Sequence, residues 1–126
     1  MEVWKKEILV GAGIDVDEAL ARFMGKEGLL VRMLTRFLED TTFLNLQSAI
    51  ARKNTEDFLQ ASHTLKGLCS NLSMKRLALL FSRQVELICR GEIIEAEKMQ
   101  RELLCAYQRT TDAIRYFLSE KDLKSE

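Results

Sequence analysis

The stretch Phe58-Leu59-Gln60-Ala61-Ser62-His63-Thr64-Leu65-Lys66-Gly67-Leu68-Cys69-Ser70-Asn71-Leu72 decides how this chain reads. Phe58, Ser62, Leu65, Cys69 and Leu72 recur at 4-3-4-3 spacing, and Ala61 and Leu68 widen the stripe. That is the pattern of an amphipathic helix with one buried face. The spacing predicts a helix over about 55–72, with Asn54 as its N-cap.

Three other runs carry the same period. The first spans about 27–51, with Leu30, Leu34, Phe37, Thr41, Leu44, Ser48 and Ala51 in register and Leu38 and Leu46 broadening the stripe. The third, about 74–90, has Leu77, Phe81, Gln84 or Val85, and Ile88. The fourth, about 92–119, has Ile93, Ala96, Leu103, Tyr107, Ile114 and Phe117. Gly25, Gly28 and Gly91 punctuate these runs as helix ends and turns. Connections of a few residues force antiparallel neighbours. The expected fold is all-α: an antiparallel up-down-up-down four-helix bundle, with short helices over 3–10 and 15–24 covering one end. Asp15 would cap the second of these, and Glu18 would complete a capping box. The chain is expected to be one domain, 1–126, with its core over about 13–118.

Composition agrees. Among 126 residues there is no proline, which suits long helices. Nineteen basic and nineteen acidic residues cancel, which argues against nucleic-acid or membrane-surface binding, since both need a basic field. No apolar run reaches the length of a membrane span, and the N-terminal residues lack a signal-peptide stretch. One histidine and three scattered cysteines do not make a zinc site. Unpaired cysteines suit a reducing, cytoplasmic setting. Cys69, Cys89 and Cys105 read as small core residues, and Trp4 as an anchor for the N-terminal segment.

The one histidine lies off the core stripe. With His63 at zero on a helical wheel, Ala61, Leu65, Leu68 and Leu72 fall at about 140–200°. Its own face carries Glu56, Leu59, Lys66, Gly67 and Ser70. Lys66 at i+3 can meet a group borne on the imidazole. Gly67 at i+4 costs a helix about 1 kcal/mol relative to alanine. Its side-chain-free position therefore reads as access for another molecule. Close helix packing, the alternative, fits poorly with its place away from the core. Leu59 at about −40° is a candidate docking contact, with Gln60 and Ser70 nearby. Lys75 and Arg76 read as solvated.

His63-Thr64-Leu65-Lys66-Gly67, followed by Ser70-Asn71-Leu72, resembles the signature of histidine phosphotransfer (HPt) domains. The stretch Gly13 to Gly25 resembles their entry segment, and Phe37-Leu38-Glu39-Asp40 is similar to a mid-helix stretch of theirs. The resemblance implies that His63 carries the phosphoryl group, that Lys66 neutralises it, and that Gly67 leaves room for the partner's active site. Asn71 matches a polar position after the motif. The chain departs from the pattern at Leu68 and Cys69, where small residues are common. It departs again at Ser73, where a glycine often stands; Ser73 reads as an N-cap.

The resemblance implies response-regulator receiver domains and a hybrid sensor kinase as partners. Mg²⁺ would sit on the receiver, with no cofactor bound by this chain. No Walker-A or kinase-type glycine loop is present, and Gly11-Ala12-Gly13 follows no strand, so the chain should not phosphorylate itself. It reads as a monomeric relay carrier more than as a complete enzyme. Two alternatives are the phosphoacceptor module of a chemotaxis-type kinase and a non-catalytic helical adaptor or kinase inhibitor.

Overall fold

A computed structural model describes residues 1–125, with side chains through Ser119; Glu126, the end of the expected domain, lies outside the described residues. The described chain is all-helical. Its elements are α1 (Val3–Gly11), α2 (Val16–Arg22), α3 (Glu27–Glu39), α4 (Thr42–Ala51), α5 (Thr55–Asn71), α6 (Lys75–Cys89), α7 (Ile93–Lys98) and α8 (Gln100–Ser125). Helix α5 packs on α4 and α6, α6 on α7 and α8, and α8 on α1 and α3. No helix among the described residues is long and apolar enough to cross a membrane.

The first expected run is broken. Asp40 is extended, and its carboxylate accepts the Thr42 backbone N–H at 2.8 Å. The break separates α3 from α4 and resets the helical phase. Leu30, Leu34 and Phe37 are buried as expected. Beyond the break, Phe43, Leu46 and Ala49 turn inward instead, while Thr41, Leu44, Ser48 and Ala51 are exposed. The continuous stripe assigned to 41–51 is therefore incorrect. A straight helix could not bring Phe43 onto the face of Phe37, because six residues leave it about 120° away. The fourth run is also interrupted, by a turn at Met99.

Helix α5 follows its stripe. Phe58, Ala61, Ser62, Leu65 and Cys69 are buried, and Asn54 caps the helix through the Asp57 N–H at 3.0 Å. Ser62 is a polar residue in the core, and α6 satisfies it. The Ser62 hydroxyl donates to Gln84 Oε1 at 2.9 Å. Gln84 Nε2 donates to the Ala96 carbonyl at 3.0 Å and to Gln100 Oε1 at 2.8 Å. This settles the choice between Gln84 and Val85: Gln84 is fully buried and Val85 only half-buried. Ser62 and Gln84 stand equidistant in sequence from Ser73, so the bond also records the antiparallel register of α5 and α6.

Ser73 is not an N-cap. It has φ 54°, is buried, and closes α5. Its N–H bonds to the Ser70 carbonyl at 3.1 Å, and the Met74 N–H bonds to the Cys69 carbonyl at 2.9 Å. This is a Schellman ending with serine where glycine is usual, a backbone conformation costing a β-carbon-bearing residue roughly 1 kcal/mol or more. The hydroxyl offsets part of that cost: it accepts from Arg22 at 2.8 Å and donates to Glu18 at 3.1 Å.

Only half of the expected capping box forms. Asp15 caps α2 through the Glu18 N–H at 3.0 Å, but the Asp15 N–H bonds to the Ser73 carbonyl at 2.8 Å. The Glu18 carboxylate pairs with Lys75 at 2.5 Å and Arg22 at 2.8 Å. Lys75, followed by Ser73 and Arg22, holds the Glu18 carboxyl below its ordinary range. Lys75 is thus ion-paired where free solvation was expected. Trp4 is half-buried, with Lys5 Nζ 5.6 Å from its ring centroid.

Candidate functional site

The outward face of α5 is the candidate site. Gln60, His63, Thr64, Gly67, Ser70 and Asn71 are exposed, and Lys66 is half-buried. Their neighbours Ser62, Leu65 and Cys69 are in the core, so packing fixes which way His63 points. Among the described residues, neither the His63 imidazole nor the Lys66 ammonium is held by a hydrogen bond or an ion pair. An imidazole without a partner keeps a ring nitrogen lone pair free for attack. Lys66 lies one turn away along the same helix, with its cation unspent.

Gly67 separates the two explanations for a helical glycine. A β-carbon built there meets no atom within 4 Å. Close helix packing is therefore not its reason, and the space beside His63 opens outward. Gly67→Ala is expected to raise stability by up to about 1 kcal/mol in urea denaturation, because alanine is the better helix former and nothing obstructs it. Gly67→Phe should fold equally well.

The remaining sequence candidates divide. Leu59 is half-buried and packs against the core, so its apolar surface is largely used internally. Gln60 and Thr64 line a groove of about 380 Å³ between α5 and α4, with Asn45, Ser48 and Arg52 on the opposite wall. The α4 side of this groove escaped the sequence reading, since Ser48 had been assigned to the core. The signal was present in Asp40-Thr41-Thr42, a capping sequence inside the apparent run. Ser70 and Asn71 present backbone carbonyls to Arg22 Nη1 at 2.6 and 3.1 Å. The guanidinium satisfies the Asn71 carbonyl, adds a second donor to the Ser70 carbonyl that already accepts the Ser73 N–H, and complements the helix dipole.

Only one cysteine behaves as expected. Cys69 is buried, and burial, with Asp40 adding, pushes its thiol up to about 12. Cys89 and Cys105 are exposed and are not core residues. Cys89 ends α6 and Cys105 lies on α8, and both side chains face solvent. Among the described residues, no group of three His, Cys, Asp or Glu side chains could hold a metal ion. No protein family, curated protein or solved structure matches the chain.

Proposed function

We propose that this chain is a histidine phosphotransfer protein of a two-component phosphorelay. It takes a phosphoryl group onto His63 from the aspartyl phosphate of one receiver domain and passes it to another. One arrangement carries the reading: on an outer helix face, an imidazole and, one turn on, a lysine have no partner among the described residues, and the glycine beside them serves no internal packing.

In the reaction, a lone pair on an imidazole nitrogen of His63 attacks phosphorus. An N–P bond forms as the O–P bond to the receiver's aspartate breaks, and the carboxylate leaves with the electron pair. Transfer onward reverses these steps on a second aspartate. Lys66 offsets charge on the phosphoryl oxygens, while the receiver supplies Mg²⁺ and the in-line geometry. Gly67 lets the receiver's loops reach the imidazole.

The helices are read as an antiparallel up-down-up-down four-helix bundle. In it α3 with α4, and α7 with α8, each act as one interrupted member. The antiparallel α5–α6 pair and the packing of α8 on α3 and α6 support this arrangement. The protein works as a cytoplasmic monomer between a hybrid sensor kinase and response regulators, with no cofactor or ATP site of its own.

The test is phosphotransfer profiling. Purified chain is mixed with each phosphorylated receiver domain of the source genome, and acid-labile label on the chain is followed in time. Uptake from at least one receiver within minutes supports the reading; no uptake from any overturns it. Lys66→Ala is expected to slow transfer by roughly 10-fold or more with the thermal midpoint unchanged, because charge stabilisation acts on the transition state. An unchanged rate would remove Lys66 from the mechanism.

A further inference from the structure

A second cavity, of about 490 Å³, lies between α2, α3 and the C-terminal half of α5. Its walls are apolar: Phe23, Met33, Phe37, Leu68 and Leu72. Its size and lining are those of small-molecule sites, which add a few convergent polar groups for orientation. Three such groups are present here. Arg36, in the last turn of α3, and Asp40, in the extended break just after it, line the cavity four residues apart, yet they form no ion pair with each other. Asn71 adds an exposed side-chain amide.

Asp40 is the unusual member. It is half-buried, and among the described residues its carboxylate makes one hydrogen bond, accepted by Oδ1 from the Thr42 N–H. Its charge is felt inside the fold, since it helps raise the titration of both Cys69 and Tyr107. Its second carboxylate oxygen, Oδ2, accepts no hydrogen bond among the described residues and is open to a cationic donor. Arg36 makes no hydrogen bond or ion pair among the described residues, so its fork is open for a carboxylate. Arg22, the other guanidinium of the rim, is already committed to Glu18 and the end of α5.

We infer that this cavity binds an apolar α-amino acid. Its ammonium meets Asp40, its carboxylate meets Arg36, and its side chain enters the apolar pocket. The complementarity is threefold: one unpaired anion, one unpaired cation and an apolar floor on a single cavity. Of the candidate site on α5 only Asn71 reaches this cavity, and none of His63, Lys66 and Gly67 lines it, so the inference does not rest on the phosphoryl chemistry proposed above.

The test is an NMR titration of the isotope-labelled full chain with four probes. These are L-leucine, L-leucinamide without the carboxylate, N-acetyl-L-leucine without the ammonium, and glycine without the apolar group. L-Leucine should give saturable shifts at Phe23, Arg36, Leu68 and Asn71 below about 10 mM, a weak affinity suited to so small a ligand. Each of the other probes should bind at least ~10-fold more weakly, as expected when one charged or apolar contact is lost. Arg36→Gln should erase the preference for L-leucine over its amide. Asp40→Asn, which retains the oxygen that caps α4, should erase the preference over the acetylated form. Absence of saturable shifts at the cavity, or equal binding of all four probes, would overturn the inference. Spectral dispersion of each variant reports whether it is folded.

Discussion

Replacing His63 by glutamine is expected to abolish phosphoryl uptake, reducing acid-labile label on the chain to background. The effect should be total because His63 is the only histidine in the sequence, so no second imidazole can substitute. Glutamine keeps size and polarity but offers no nucleophilic nitrogen, since its amide nitrogen is a donor only. The fold should not respond. His63 is exposed and bonded to no described neighbour, and such surface substitutions usually stay within about 0.5 kcal/mol. Transfer assays alongside circular dichroism separate the two effects. Retention of acid-labile label on the variant would place the phosphoryl group elsewhere and end the phosphotransfer reading.

Replacing Phe43 by alanine is expected to cost about 3–5 kcal/mol of stability, whereas the same change at the adjacent Leu44 should cost under about 0.5 kcal/mol. Phe43 is 5% exposed and Leu44 65%. The Phe43 ring stands edge-on to Tyr107 at 4.1 Å and to Phe81 at 6.4 Å between centroids. Removing it opens a cavity where α4, α6 and α8 meet, and also forfeits two aromatic contacts. Leu44 faces outward, and little beyond partial surface burial is lost. Urea denaturation of the two variants measures the difference directly. A continuous helix over 27–51 predicts the opposite order, so the pair tests the break at Asp40 as well as the core.

The α5 stripe was legible because one helix with one buried face leaves a complete periodic record. Phe58, Ser62, Leu65 and Cys69 are buried, and His63 is exposed on the other side. Over 41–51 the spacing does not mark the buried face. Thr41, Leu44, Ser48 and Ala51 continue the spacing of Leu30, Leu34 and Phe37 by coincidence, while Asp40 breaks the backbone and shifts the phase. Periodicity measures spacing within one helix, and it carries no information about where one helix stops being one. Ser73 failed for a related reason. A serine before a helix reads as a cap, and only the left-handed backbone of the turn shows that it ends the preceding helix instead.

Gly67 illustrates how sequence and structure divide the remaining work. Sequence alone raised the question, because a glycine inside a helix carries an energetic cost that calls for a reason. Only the placement of neighbouring helices excluded packing as that reason, by leaving the β-carbon position open.

By itself, the sequence determined the helical class and the placement of His63, Lys66 and Gly67 on the solvent face of one helix. Both follow from local periodicity, which neighbouring elements cannot change without exposing the core. The tertiary structure alone decided which residues beyond Asp40 are buried and that Gln84 satisfies Ser62. It also decided that Arg36 and Asp40 share the rim of an apolar cavity without pairing. Those outcomes depend on how helices distant in the chain meet. A change of phase at one break, or one buried hydrogen bond between two helices, selects among packings that the residue pattern leaves equivalent.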